Sequence, residues 1–178
     1  MSKKNKKKEI KIGILGGTFD PAHKGHFEIS KQAKKKYKLK YVIWAITKKN
    51  PFKNKSKSNL EDRIKFAKKI IGVNKFIKIK FYEKKIKSNK TINLINYIKK
   101  KNKLLNIYFI MGADNIINFN KWYKWKQISK NCNILVFDRH GYKKKALKTN
   151  TLKKLIKNNL EFINFKKVNI SSSKLRKI

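Results

Sequence analysis

Residues 10–26 read Ile10-Lys11-Ile12-Gly13-Ile14-Leu15-Gly16-Gly17-Thr18-Phe19-Asp20-Pro21-Ala22-His23-Lys24-Gly25-His26. The run from Ile10 to Leu15 is β-branched and mostly apolar, as in a buried strand, and Gly16-Gly17 ends it in a tight turn. From Gly25 to Tyr37 the apolar residues Phe27, Ile29, Ala33 and Tyr37 recur with Lys on the opposite face, which predicts an amphipathic helix. In a doubly wound sheet the ligand site lies beyond the carboxyl ends of the strands, and the first strand-to-helix turn sits there. Two glycines let a ligand approach the main chain closely, and the following helix start offers N–H groups and a positive dipole end to phosphate. His23 and His26 stand three residues apart at that helix start, so both imidazoles can face one anion. A helix-capping pair or an incidental turn is the alternative reading of the same two residues.

Working outward, Tyr41 to Ile46 predicts a second buried strand and Thr47 to Ser58 a loop. Asn59 then caps a helix through about Ile71. Phe76 to Tyr82 alternates apolar residues with Lys, as an edge or half-exposed strand does, and Thr91 to Asn102 returns to helical spacing. Asn106 to Met111 is the next strand, ending at Gly112. Two helical pieces are predicted over Asp114 to Phe119 and Lys121 to Lys130, then a strand over Asn133 to Asp138. A helix over Thr149 to Lys157, a short strand over Phe162 to Phe165 and a helical turn from Ser171 complete the pattern. Alternating strands and helices with short loops imply right-handed crossovers and a parallel sheet covered on both faces.

At 178 residues the chain has the length of one domain, and 40% hydrophobic and 12% aromatic content give it a core to build. Residues 1–9 read as a solvated basic tail and residues 10–178 as the folded domain. The net charge is +41, which by itself suggests nucleic acid. Against that, only Arg63, Arg139 and Arg176 are arginines beside 47 lysines, and phosphate and base recognition favours the bidentate Arg fork. The lysines are also spread along the whole chain among abundant Asn and Ile, as codon drift toward A and T produces. No specific nucleic-acid partner is therefore expected. The lone Cys132 has no partner for a disulfide or a metal, and no segment approaches the roughly 18 apolar residues of a membrane span. A soluble, cytoplasmic protein is the expectation.

The turn Gly16-Gly17-Thr18-Phe19-Asp20-Pro21-Ala22-His23-Lys24-Gly25-His26 resembles the His-x-Gly-His signature of the nucleotidyltransferase superfamily. Two further blocks narrow the resemblance. Met111-Gly112-Ala113-Asp114-Asn115, followed by Phe119, Trp122, Trp125 and Ile128, looks like the central block of the nicotinate-nucleotide adenylyltransferase family. Ile170-Ser171-Ser172-Ser173-Lys174-Leu175-Arg176 looks like that family's C-terminal motif. The resemblance runs from Ile12 to Arg176 and implies a Rossmann-like, single-domain α/β fold with a doubly wound parallel sheet.

It also implies transfer of AMP from ATP to nicotinate mononucleotide, with release of pyrophosphate. The attacking group is then already a phosphate dianion, so no general base or nucleophilic side chain is needed. The site has to supply in-line positioning and positive charge, aided by Mg²⁺ that the substrate phosphates hold, with no metal ligands from the protein. His23, His26, Lys53 and Arg176 are the candidate charges. By the resemblance, His26 contacts the α-phosphate, His23 the triphosphate, and Ser172 and Ser173 with Arg176 the departing phosphates. Gly16, Gly17, Thr18 and Phe19 line the nucleotide with backbone and ring. Trp122 lies over the pyridine ring, Tyr123 and Thr91 give main-chain amides to the carboxylate, and Asp114 binds a ribose or other substrate hydroxyl. Trp125 reads as a core anchor, and capping of a helix is the alternative for Asp114.

The chain departs from the family pattern at Thr47-Lys48-Lys49-Asn50-Pro51-Phe52-Lys53, which lacks the usual Pro-Pro-His-Lys, and at His140, where Pro is frequent. Other adenylyl- or cytidylyltransferases of the superfamily share the first motif but should lack the block from Met111 to Trp125. A Lys-rich nucleic-acid binder would instead show affinity that collapses with salt and no pyrophosphate release.

Overall fold

The computed structural model of the chain describes residues 9–50, 56–138, 142–149 and 159–165. Its centre is β1 (Ile10–Gly17), flanked by β2 (Tyr41–Ile46) and β4 (Leu105–Gly112). Outside these lie β3 (Ile77–Lys80) at one edge, and β5 (Asn133–Phe137) followed by β6 (Leu160–Ile163) at the other. All five pairings are parallel, in the order β3-β2-β1-β4-β5-β6. The sequence forces this arrangement. Ile12, Ile14, Val42, Ile43, Ile107 and Ile110 are β-branched or apolar on both faces of their strands and bury to 5% exposure or less, which a parallel sheet covered on both sides accommodates. The alternating Lys of β3 suits an edge.

Helices cover each face. The α1 helix (Lys24–Tyr37) and α2 (Leu60–Ile71) bring Ile29, Ala33 and Ala67 into one core cluster with Leu15, Trp44 and Leu135. On the opposite face, α4 (Thr91–Lys101) and α6 (Trp125–Asn131) bring Ile92, Ile95, Ile98 and Ile128 against Ile14, Phe109 and Val136. Gly13 is where layers approach most tightly: a Cβ there would stand 3.1 Å from Ile110, Leu39 and Val42 side chains. Asn59 caps α2 as its spacing predicts, its side chain accepting from the Asp62 amide at 2.8 Å.

Three elements differ from expectation. The predicted Lys121–Lys130 helix starts only at Trp125, as α6 (Trp125–Asn131), with Lys124 at φ 51 in the left-handed region before it and a single 3₁₀ turn over Phe119–Lys121 preceding that. The last strand is Leu160–Ile163, displaced toward the N-terminus from Phe162–Phe165, since pairing with β5 sets its register. Short helices α3 (Glu83–Ile86), α5 (Ala113–Ile116) and α7 (Tyr142–Leu147) fill connections, and α3 and α7 carry no strong periodic signal. Nearly all of the predicted Thr149–Lys157 helix, the Lys-rich tail before Glu9 and the C-terminal motif lie outside the described residues. Among the described residues no helix is long and apolar enough to cross a membrane.

The chain order reverses between β1 and β4. Leu15 is in register with Ile110, so Gly16-Gly17 and Gly112 leave the sheet at one level and open a crevice beyond it.

Candidate active site

Gly16 is exposed at the end of β1 and Gly17 half-buried. A Cβ on Gly16 would meet Phe109 at 3.6 Å and one on Gly17 would meet Phe19 at 3.5 Å, both ordinary contacts. Internal packing therefore does not exclude side chains here; what the two glycines provide is a main chain that a ligand can approach.

The turn that follows is rigidly held. Phe19 takes φ 49, and its ring stacks on Trp44 of β2 with centroids 5.0 Å apart and planes at 20°. The Asp20 carboxylate, 2% exposed, accepts from the amides of Lys57 at 2.8 Å and Ser58 at 3.3 Å. From α2, Arg63 is 3% exposed and donates to the Thr18 carbonyl at 2.5 Å and the Thr47 carbonyl at 2.8 Å. Burial lowers the pKa of Arg63, with Asp20 and then Glu83 pulling it back up. Glu83, opening α3, accepts from the Thr47 hydroxyl and from the Lys48 amide, which fixes the chain leaving β2.

The α1 helix then starts on its two histidines. His23 Nδ1 accepts from the Gly25 amide at 3.1 Å, and His26 Nδ1 accepts from the His23 amide at 3.2 Å, a reciprocal cap made entirely of imidazole. The capping alternative is thus realised, and it is compatible with ligand binding rather than opposed to it. An accepting Nδ1 assigns the proton to Nε2, so each neutral ring is an N–H donor on its far side. The ring centroids are 3.8 Å apart; His23 is buried and His26 half-buried. Behind them the Trp44 indole donates to Ser30 Oγ at 2.9 Å, and that hydroxyl donates to the His26 carbonyl at 2.8 Å.

Phe19 departs from its expected place. The residue is 2% exposed, with its ring 4.8 Å from the His26 ring and stacked on Trp44, so the ring supports the turn from inside. Thr18 is half-buried at the mouth of the turn. Phe109 connects this turn to the second motif, since the ring that faces Gly16 also meets Trp122 edge-on at 6.1 Å and 84°. Trp122 is half-buried, packed 5.4 Å from Phe119, and Trp125 is likewise half-buried against Phe119. Asp114 stands in the first turn of α5, whose N-cap is Gly112. Thr91 opens α4, whose Ile92 and Ile95 share a core cluster with Phe109 and Trp122. Tyr123 is 52% exposed. Lys53, Ser172, Ser173 and Arg176 lie outside the described residues, as does His140.

Sequence reading missed Asp20, Ser30, Trp44, Arg63 and Glu83, most of whose contacts are with main chain or rings brought close only by the fold. Arg63 carried the one available signal, an arginine in a chain that otherwise uses lysine.

A doubly wound sheet with an imidazole-capped helix at its switch point defines a class of nucleotide-handling protein, and comparison with known proteins agrees. The cytidylyltransferase-like family model matches residues 14–178, so the chain belongs to that family. A protein of Pelagibacter ubique named "Probable nicotinate-nucleotide adenylyltransferase" is 72% identical over 171 residues, covering 96% of this chain and 94% of that protein. One of the same name from Agrobacterium fabrum is 35% identical over 131 residues, 73% of this chain and 70% of the relative. Within the wider family, the chain belongs with the nicotinate-nucleotide adenylyltransferases. The fold is shared with the nicotinic acid mononucleotide adenylyltransferase of Plasmodium falciparum complexed with NaAD. That match has a TM-score of 0.75 and 20% identity, covering 94% of this chain and 83% of the other.

Proposed function

We infer that the chain transfers the adenylyl group of ATP to nicotinate mononucleotide, giving nicotinate adenine dinucleotide and pyrophosphate in NAD biosynthesis. The observation that supports this reading best is the imidazole-capped start of α1, which follows the Gly16-Gly17 turn at the switch point and leaves Nε2 of each ring as the proton-bearing nitrogen. An acceptor phosphate oxygen forms a bond to the α-phosphorus as the bond to the β-phosphate bridging oxygen breaks, and pyrophosphate leaves. The nucleophile is already ionised, so the protein's work is alignment and charge stabilisation.

In this reading His26 donates to the α-phosphate and His23 supports it and the triphosphate, while Gly16, Gly17, Thr18 and the Phe19 main chain line the nucleotide. Lys53, Ser172, Ser173 and Arg176 receive the departing phosphates. Trp122 covers the pyridine ring, the amides of Tyr123 and Thr91 meet the carboxylate, and Asp114 takes a ribose hydroxyl. Among the described residues no group of three or more His, Cys, Asp or Glu could hold a metal. Mg²⁺ carried by the ATP phosphates would supply charge neutralisation there. Residues 10–178 form the transferase domain behind a basic tail, working in the cytoplasm where ATP is available.

The test is pyrophosphate release from ATP and Mg²⁺ with nicotinate mononucleotide or its amide as acceptor. Turnover favouring the nicotinate form is expected. Absence of turnover with both refutes the reading, and a preference for the amide removes the carboxylate contact while keeping adenylyl transfer.

A further inference from the structure

Arg63 is one of three arginines beside 47 lysines, and it is 3% exposed. Its guanidinium reaches five main-chain carbonyls in three separate segments. These are Thr18 at 2.5 Å, Thr47 at 2.8 Å and Lys48 at 3.4 Å, with Ser58 and Asn59 at 3.2 Å each. Among the described residues it bonds carbonyls and no carboxylate within ion-pair distance. An ammonium carries three donors on one point; the planar fork spreads five over a fixed frame and can answer carbonyls arriving from different directions. Here lysine, the residue this chain uses almost everywhere, cannot do the same work.

The contact on Thr18 has a directional consequence. The Thr18 carbonyl and the Phe19 N–H belong to one planar trans peptide and point opposite ways. With the carbonyl drawn onto the guanidinium, the Phe19 N–H is turned away from Arg63. Its nitrogen is near Gly17, where a Cβ would stand 3.9 Å away and glycine has none. On the other flank of Phe19, Asp20 is pinned to the amides of Lys57 and Ser58, immediately before the Asn59 cap of α2. Phe19 itself holds φ 49, a region that bulky residues occupy only when their surroundings impose it.

We propose that Arg63, assisted by Asp20, is a positioning residue for adenylyl transfer: from the first turn of α2 it fixes the Thr18–Phe19 peptide so that its amide faces the nucleotide, without touching the nucleotide itself. The proposal rests on the reading of the preceding subsection for the identity of the nucleotide.

The experiment compares wild type, Arg63→Lys and Asp20→Asn by steady-state kinetics and by calorimetric binding of a non-hydrolysable ATP analogue with Mg²⁺. For Arg63→Lys, folded by circular dichroism, the expected result is a KM for ATP and a Kd for the analogue raised about tenfold or more, with KM for nicotinate mononucleotide within about twofold of wild type. Arg63→Ala should show the same defect and recover with millimolar guanidinium, while Arg63→Lys should not recover. Unchanged ATP affinity in Arg63→Lys overturns the proposal, as does an equal loss toward both substrates that tracks the folded fraction. If the Arg63 variants do not fold, Asp20→Asn carries the expectation of ATP-selective weakening, and wild-type affinity there overturns it. Wild type that binds the analogue but turns over neither acceptor unseats the adenylyl-transfer reading and leaves the binding comparison to decide the role of Arg63.

Discussion

His26 has two jobs that fall on different ring atoms. Nδ1 accepts from the His23 amide and thereby closes the first turn of α1, and in the proposed reaction the Nε2–H that this leaves as donor hydrogen-bonds a phosphate oxygen. Removing the ring should therefore separate into two measurable losses. His26→Ala is expected to lower kcat by on the order of 10² or more, the usual effect of deleting a donor aimed at developing charge. Stability should fall by only about 1 kcal/mol, because His23 still caps from its own side chain. A near-normal kcat would show that the α-phosphate lies elsewhere. The residues that identify this site were legible in the sequence because they are consecutive: Gly16, Gly17, His23 and His26 fall within one strand-to-helix turn. Those that brace it were not. Trp44 and Asp20 read as a strand residue and a turn residue, and the partners that make them bracing residues lie 14 to 38 positions away along the chain.

The elements that carry those residues are joined at their far ends as well. Where α1 finishes, Lys36 Nζ meets Glu161 Oε1 of β6 at 2.5 Å, both side chains about half exposed, and Gln32 donates to the Asn164 carbonyl at 3.2 Å. The hydrogen bond from Lys36 chiefly holds the Glu161 carboxyl below its ordinary pKa, with burial acting against it and Tyr37 assisting. Its stabilisation is therefore present above the unfolded-state carboxyl value of about 4.3 and is lost as pH falls through the depressed folded value. Glu161→Gln should lower stability near neutral pH by at most about 1 kcal/mol, given the exposure of the pair. That difference should close as urea unfolding is repeated at successively lower pH. A difference that persists in acid would assign the contact to packing. At this scale the sequence yields helices and strands with strong periodicity, such as β2 and α4, to within a residue or two. It fails where a single backbone angle decides. Lys124 in the left-handed region delays the start of the helix that spacing places from Lys121, and it leaves Trp122 just after the 3₁₀ turn and Trp125 opening α6.

Across the whole molecule the order of strands and helices was enough to define a parallel doubly wound sheet, since few other topologies accept that alternation. Charge is the property that local patterns do not resolve. In a chain of net charge +41 with nine Asp and Glu residues, Glu161 pairs with Lys36. The excess cations therefore repel one another across the surface, and folding concentrates them. Mobile anions screen that repulsion over about 10 Å at 0.1 M salt. The melting temperature should accordingly rise steadily as NaCl is taken from about 0.02 to about 0.5 M, where a protein of balanced charge would change little. The same screening weakens attraction between the positive surface and the polyanionic ATP, so kcat/KM for ATP should fall over that range while stability improves. The two trends have one cause and opposite signs. A melting temperature that fell with salt would mean that ion pairs hold the fold, and a kcat/KM that rose would mean that substrate capture owes nothing to the long-range field.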